Sequence, residues 1–180
     1  MARRVLDKFS FVYLNAVLML ELNSSGHYNF FIVEDNPAEV RLIQEAIKEA
    51  GLDDVVELDY AYDGEEACET LDTNKLINKN VDLVLLDLNM PKITGKEVLE
   101  KIKSDPELLH IPVIMVTNSD YKRDMIECYR LGADGYMQKP ADFKKLVDFF
   151  VSIKKSIEVR NKLSIYYIEK EYYEDFRMAV

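Results

Sequence analysis

Short apolar runs alternate with amphipathic stretches through the middle of this chain. The runs end in polar or turn-forming residues, and most are rich in β-branched or aromatic residues, which is typical of buried strands. The most apolar run, residues 81–87, ends at Asp87 and predicts a strand that is buried on both faces of a parallel sheet. The five predicted strands cover residues 29–33, 55–58, 81–87, 111–117 and 135–139.

A stretch with apolar residues at helical spacing follows each predicted strand, and cap signals mark where these helices begin. Asn36 with Glu39, and Thr94 with Glu97, have the spacing of a capping box. Five strands that alternate with five helices predict a doubly wound α/β fold, because right-handed crossovers cover both faces of a parallel sheet. The predicted N-caps are Asn36, Asp63, Thr94, Ser119 and Asp142, and the predicted helix stops are Gly51 and Gly132.

Composition limits the size and the partners of this fold. The 180 residues are 48% hydrophobic, which is enough for one domain with extensions. The net charge of −10 disfavours nucleic acid as a direct partner, because it repels a phosphate backbone. Cys68 and Cys128 lie in predicted helices without metal-type or redox-type spacing, so both are expected to be buried, reduced thiols.

An apolar stretch near the start of the chain, residues 9–20, follows Arg3, Arg4 and Lys8 and superficially resembles a signal peptide. It lacks a clear small-x-small cleavage site, and it is shorter than the ~20 residues that a membrane span requires. We therefore expect a peripheral helix within an N-terminal extension of residues 1–27, and no membrane anchor.

Polar side chains stand at the end of each of four predicted strands. Parallel strands deliver their last residues to one edge of the sheet, so Glu34, Asp35, Asp87, Thr117 and Lys139 are expected to converge there. Three carboxylates repel one another, and a hard cation with oxygen ligands relieves that repulsion. Mg²⁺ is the natural candidate, because it needs one or two carboxylates and keeps coordination positions for water and phosphate. A carboxylate beside Mg²⁺ can act as the nucleophile in phosphoryl transfer.

Taken singly, the same residues have ordinary structural explanations. A strand-end aspartate such as Asp87 commonly caps the next turn, and Glu34 and Asp35 suit the N-terminus of the following helix. Thr117 is a good β-former, and Lys139 fits the end of a strand. Their joint occurrence at one sheet edge favours the functional interpretation, because unrelated structural causes would all have to coincide.

The set Glu34–Asp35, Asp87–Leu88–Asn89–Met90–Pro91, Thr117 and Lys139–Pro140 resembles the response-regulator receiver domain in residue types and in spacing. The resemblance covers residues 28–152 and implies a flavodoxin-like sheet with strand order 2-1-3-4-5. Within the family, the connection from Asp105 to Pro112 is most similar to stand-alone receivers of the phytochrome-associated and archaeal kind.

The resemblance also implies a role for each of these residues. Asp87 would accept the phosphoryl group, while Glu34, Asp35, Asp87 and the backbone carbonyl of Asn89 would hold Mg²⁺. Thr117 and Lys139 would bind the phosphoryl oxygens.

Two further positions bear on switching. Tyr136 matches the aromatic switch residue of the family, which moves inward when the threonine hydroxyl turns toward the phosphate. Phosphorylation would then shift the face formed by the fourth helix, fifth strand and fifth helix. Asn118 departs from the family pattern, because a small residue is common after the threonine, and this leaves the lifetime of the acyl phosphate open.

The function implied is a cytoplasmic, phosphorylation-dependent switch of a two-component phosphorelay, which is not a turnover enzyme. Its partners would be a sensor histidine kinase or phosphotransfer protein and an unidentified downstream protein. One alternative is a phosphohydrolase, since Asp87–Leu88–Asn89 superficially resembles the DxD motif of haloacid-dehalogenase-like enzymes. Asn89 cannot serve as the second, proton-shuttling acid, and in that family the motif follows the first strand. Another alternative is a degenerate receiver used as a scaffold.

Residues 153–180 form a predicted C-terminal helical and aromatic extension, in which Ile153 and Ile157 extend the apolar stripe of the last helix beyond the core. The extension is too short for a separate output domain, so signalling by protein contact is expected. Homodimerisation through the terminal extensions or the last helix and packing onto the receiver's own surface are equally good explanations. The aromatic residues concerned are Tyr166, Tyr167, Tyr172, Tyr173 and Phe176.

Overall fold

The computed structural model describes residues 27–160, in which five parallel strands and five helices alternate along the chain. The expectations for residues 1–26 and 161–180, including the peripheral helix and the aromatic tail, lie outside the described residues. The strands are β1 (Tyr28–Val33), β2 (Val56–Ala61), β3 (Leu83–Leu86), β4 (Val113–Thr117) and β5 (Gly135–Gln138). The helices are α1 (Pro37–Glu49), α2 (Gly64–Leu76), α3 (Gly95–Ser104), α4 (Lys122–Arg130) and α5 (Phe143–Arg160).

The sheet has the strand order β2-β1-β3-β4-β5, which confirms the predicted doubly wound fold and its strand order. Val33 at the end of β1 pairs with Ala61 on one side and with Leu86 on the other, and Leu86 in turn pairs with Met115. The strands therefore end in register. This register brings the residues that follow β1, β3, β4 and β5 to one edge of the sheet.

Both faces of the central strands are covered by helices, which explains why β1 and β3 are continuously apolar. On one face, Phe30 and Ile32 pack in a cluster with buried residues of α1 and α5. On the other face, Phe31 and Val33 pack with buried residues of α2, α3 and α4. Alternate residues of each strand thus belong to two separate apolar layers.

Most of the predicted helix caps are confirmed. The side chain of Asn36 accepts a hydrogen bond from the amide of Ala38, and Asp63 accepts one from the amide of Glu66. Thr94 and Glu97 form the predicted capping box at the start of α3. Asp142 accepts from the amide of Lys144 at the start of α5.

The predicted cap at Ser119 is wrong. Helix α4 begins at Lys122, and its N-cap residue, Tyr121, makes no side-chain hydrogen bond to the helix. The Ser119 hydroxyl instead donates to Asp124 Oδ2 at 2.6 Å, inside the first turn of α4. The amide of Tyr121 donates to the Ser119 hydroxyl oxygen at 3.3 Å. Ser119 therefore joins the loop before α4 to the first turn of that helix, and it does not act as the N-cap residue.

The reciprocal capping box predicted at Asn36 and Glu39 is also absent. The backbone amide of Asn36 donates to Glu34 Oε1 at 3.2 Å rather than to Glu39. The Glu39 carboxylate contacts the Lys139 ammonium group and accepts a hydrogen bond from Asn36 Nδ2 at 3.4 Å. A charged partner that arrives from β5 is a stronger attraction for the carboxylate than a neutral amide.

The predicted strand limits need smaller corrections. Strand β2 extends to Ala61 rather than to residue 58, because Leu58 and Tyr60 pack against the layer under α1 and α5. Strand β4 begins after Pro112, which has no amide to donate to the sheet. Of the two cysteines predicted to be buried, Cys128 is buried, but Cys68 is half-buried.

Helix α5 continues without interruption past the predicted boundary at residue 152. Ile153 and Ile157 are buried in the layer shared with α1, and Lys154 Nζ donates to the carbonyl of Gly51 at 2.7 Å. These isoleucines belong to the core rather than to an extension beyond it. No helix within residues 27–160 is both long enough and apolar enough to cross a membrane.

Candidate functional site

Backbone hydrogen bonds at the strand ends hold the predicted site residues at one edge of the sheet. The amide of Glu34 donates to the carbonyl of Ala61, and the amide of Asp87 donates to the carbonyl of Val33. The amide of Lys139 donates to the carbonyl of Thr117 at 2.7 Å. Each residue directly follows a buried strand, or is the last residue of one, so its position is set by the sheet itself.

Three carboxylates lie together at this edge. Glu34, Asp35 and Asp87 each offer an oxygen atom within 4.8 Å of the other two. The residues Glu34 and Asp87 are buried, at 2% and 5% exposed, whereas Asp35 is open to solvent. Burial, together with the charge of Asp87, raises the pKa of Glu34 to about 7, although the hydrogen bond with Lys139 acts to lower it.

One ammonium group faces these acids. Lys139 Nζ lies 2.6 Å from Glu34 Oε2 and 3.2 Å from Asp87 Oδ1, and it also contacts the Glu39 carboxylate. Burial alone would lower the pKa of Lys139, but the hydrogen bonds with Glu34 and Glu39 and the charge of Asp87 raise it overall. The side chain therefore remains protonated at neutral pH. Four carboxylates facing one ammonium leave an excess of negative charge.

These groups line an open cleft. Asn89 is exposed at its rim, and its amide donates to Asp87 Oδ2 at 3.1 Å, so both oxygens of Asp87 have partners. The other lining residues are Glu34, Asp35, Asn36, Pro37, Glu39, Asn118 and Lys139. The donor set consists almost entirely of carboxylate and carbonyl or amide oxygens, with excess negative charge, which fits a hard divalent cation such as Mg²⁺.

Thr117 and Tyr136 are not among the residues that line the cleft. Thr117 is fully buried, and its Oγ1 accepts a hydrogen bond from the amide of Ser119 at 3.2 Å. Tyr136 is half-buried, and its hydroxyl donates to the carbonyl of Ser119 at 3.0 Å. Burial raises the pKa of Tyr136. The two predicted switch residues are thus connected through Ser119.

Two contributors to the site were missed in the sequence. Glu39 was assigned only to a cap, although an acid in the first turn of a helix that starts at the same sheet edge was the available signal. Gly95 is the other. A β-carbon at Gly95 would lie 2.0 Å from the carbonyl oxygen of Asp87, so only glycine lets α3 start directly against the end of β3. Its position beside the predicted N-cap Thr94 was the only local hint.

Comparison with known proteins shows which family this chain is similar to. The sequence profile of the response regulator receiver domain matches residues 30–150. Response regulator Rcp1 from Synechocystis is 38% identical over 117 residues, which are 64% of this chain and 78% of that protein.

Two solved structures have a similar fold. The phosphorylated cyanobacterial phytochrome response regulator RcpA has a TM-score of 0.64 and 39% identity, over 72% of this chain and 92% of that chain. The Mn²⁺-bound form of Rcp1 also has a TM-score of 0.64, with 32% identity over 78% of this chain and 99% of that chain.

Proposed function

This chain belongs to the family of response regulator receiver domains, and from that premise we propose that it is a phosphorylation-dependent switch whose phosphoryl acceptor is Asp87. The observation that supports this most directly is the environment of Asp87. It is a buried carboxylate at a strand end, with the Lys139 ammonium 3.2 Å from one of its oxygens and two further acids beside it. Backbone hydrogen bonds of the sheet hold the strand ends that carry these residues.

The chemistry proposed is a transfer of one phosphoryl group. A carboxylate oxygen of Asp87 attacks phosphorus, the bond from phosphorus to the donor's leaving atom breaks, and an acyl phosphate forms. The donor's leaving group keeps the electron pair of the broken bond. Lys139, at the end of β5, pairs with a phosphoryl oxygen and offsets its negative charge. Thr117 donates a hydrogen bond from its hydroxyl to another phosphoryl oxygen.

Mg²⁺ is the proposed cofactor, held by Glu34, Asp35, Asp87 and the backbone carbonyl of Asn89. When bound, it would neutralise phosphoryl charge during the transfer. The excess of carboxylates over ammonium groups in the cleft supports this assignment, as does the raised pKa of Glu34, which reflects a buried carboxylate without enough positive charge around it. The solved Rcp1 structure with Mn²⁺ concerns that protein, and it makes a divalent cation in this chain a reasonable expectation.

The remaining parts of the proposal concern partners. A sensor histidine kinase or phosphotransfer protein would supply the phosphoryl group in the cytoplasm, and an unidentified protein would read the result by contact. The relatives are signalling response regulators, and a single labile phosphoryl group on Asp87 would make this chain a switch rather than a turnover enzyme. The net charge of −10 opposes direct nucleic-acid binding. Homodimerisation also remains a proposal. We further propose that the receiver core begins at residue 28.

Phosphorylation by a small donor tests the proposal. The protein is incubated with Mg²⁺ and acetyl phosphate, and the intact mass is measured before and after treatment with hydroxylamine. We expect the gain of one phosphoryl group, its loss with hydroxylamine, and no gain for Asp87→Asn. Asp120→Asn is the control, because Asp120 is an exposed aspartate in the loop after β4 with no proposed role.

Labelling that persists in Asp87→Asn, or no labelling of the unmodified chain, would contradict the assignment. Many turnovers of a phosphate monoester per chain would favour the phosphohydrolase alternative, whereas slow hydrolysis of acetyl phosphate is expected of a labile acyl phosphate on Asp87. The absence of any labelling would favour the degenerate scaffold.

A further inference from the structure

Helix α4 is attached to the rest of the molecule by few apolar contacts. Of its nine residues, all within the described range, only Cys128 is buried. By comparison, α1 buries Val40, Ile43, Ala46 and Ile47. A helix with one buried side chain gains little from the hydrophobic effect, so polar contacts contribute a large share of what holds it in place.

Those polar contacts converge on one lysine of α3. Lys96 Nζ lies 2.9 Å from Asp124 Oδ1 and 2.5 Å from Glu127 Oε2, and both acids are on α4. The second oxygen of Asp124 accepts the hydroxyl hydrogen of Ser119 at 2.6 Å. The hydrogen bond from Ser119, followed by the contact with Lys96, holds the pKa of Asp124 below its usual value, so the carboxylate is ionised. We refer to Lys96, Ser119, Asp124 and Glu127 as the α3–α4 clamp.

The clamp is connected to the site through Ser119. The amide of Ser119 donates to Thr117 Oγ1, and the carbonyl of Ser119 accepts from the Tyr136 hydroxyl. Ser119 is itself buried, so it has little freedom to move alone. Any displacement of this residue disturbs the hydroxyl of Thr117 on one side and the contact with α4 on the other.

We propose that the α3–α4 clamp holds the loop between β4 and α4, and with it the Thr117 hydroxyl, in the resting arrangement. The inference rests on the proposed function. Turning the Thr117 hydroxyl toward a phosphoryl group on Asp87 requires Ser119 to shift, and the clamp opposes that shift. Lys96 is therefore a positioning residue that acts through Asp124 and Ser119 and sets the ratio of resting to active arrangement.

The test compares two lysines of the same helix. Lys96→Gln removes both ion pairs of the clamp. Lys101→Gln is the matched control, because Lys101 pairs with Asp72 on α2 at 3.0 Å and has a similar exposed fraction, 33% against 27% for Lys96. Each protein is titrated with beryllofluoride, an analogue of the phosphoryl group, in the presence of Mg²⁺. The amide resonances of Ser119 and Tyr136 are followed by NMR.

We expect Lys96→Gln to bind beryllofluoride about two- to fivefold more tightly than the unmodified chain, the factor expected from a partly exposed ion pair. Lys101→Gln should leave the affinity unchanged, and Lys96→Arg should restore it. Tighter binding by Lys96→Gln is informative, because loss of the lysine's positive charge by itself would weaken the binding of an anion. Asp124→Asn, a second variant of the clamp, should also tighten binding.

Equal or weaker binding by both Lys96→Gln and Asp124→Asn would overturn the clamp, and so would equal tightening by Lys101→Gln. Failure of the proposed function gives a different result. In that case the unmodified chain would show no Mg²⁺-dependent response to beryllofluoride, or Asp87→Asn would respond equally well.

Discussion

The buried carboxylate of Glu34 makes the stability of this protein depend on pH. Its carboxylate lies at the end of β1 beside Lys139 and Asp87, and burial raises its pKa to about 7 from an ordinary value of 4.5. A raised pKa means that the folded state binds a proton more tightly than the unfolded chain does. The contribution of protonated Glu34 to the free energy of unfolding is complete below the pKa of this group in the unfolded chain. It is lost as pH rises through the folded-state pKa of about 7.

This sign leads to a pH prediction for metal-free protein. With a chelator present, we expect the contribution of Glu34 to lower the free energy of unfolding as pH rises from about 4.5 to about 7, and Glu34→Gln to show a shallower pH dependence. Urea unfolding at several pH values measures it. Glu45→Gln, at an exposed position of α1, is the control and should follow the unmodified chain. Identical slopes for the chain and for Glu34→Gln would show that burial of this carboxylate is not costly.

At the scale of elements, the start of α3 lies directly against the residues that follow β3. The amide of Gly95 donates to the carbonyl of Leu88 at 3.0 Å, and there is no space for a β-carbon against Asp87. The position of α3 thus depends on a glycine, while the capping box of Thr94 and Glu97 satisfies amides at the start of the helix. Lys96, one residue further along, then reaches α4.

Gly95→Ala should therefore affect the site as well as the fold. We expect it to lower the free energy of unfolding by about 1–3 kcal/mol, as overpacking does, and to slow phosphorylation of Asp87 because the strand end is displaced. Thr94→Ala is the comparison. It removes the cap at a cost of about 1 kcal/mol without a clash, so it should leave phosphorylation close to normal. Equal phosphorylation rates in both variants would contradict a special role for Gly95.

At the scale of the whole molecule, the receiver core includes most of the last helix. Ile153 and Ile157 are buried against α1, at positions that the sequence pattern alone had assigned to an extension. The core of the protein therefore reaches at least residue 157, and the part of α5 beyond residue 152 contributes to stability.

The packing of α5 can be tested by truncating one side chain. Ile153→Ala should lower the free energy of unfolding by about 2–5 kcal/mol, because it leaves a cavity in a packed layer. Lys155→Ala, at an exposed position two residues further on, should change it by less than about 0.5 kcal/mol. Denaturant unfolding measures both. Similar small effects from the two substitutions would indicate that α5 beyond residue 152 does not stabilise the core.

Local patterns in the sequence determined the elements and the edge at which chemistry was expected. The apolar runs, the caps at Asn36, Asp63 and Thr94, and the polar residues after each strand are signals contained in a few adjacent residues. Strand order and the convergence of Glu34, Asp87 and Lys139 then follow from the rules for parallel sheets and from resemblance to a family.

Only the tertiary structure decided which partner each polar side chain binds. Ser119 and Glu39 are residue types that commonly cap helices. In the structure, Ser119 binds Asp124 and Glu39 binds Lys139. Lys96 gives no local sign that it joins α3 to α4, and the apolar stripe that includes Ile153 does not show which surface covers it. The physical reason is that local patterns encode φ and ψ preferences and which side of an element is apolar. Contacts between residues far apart in sequence depend on how completed elements pack.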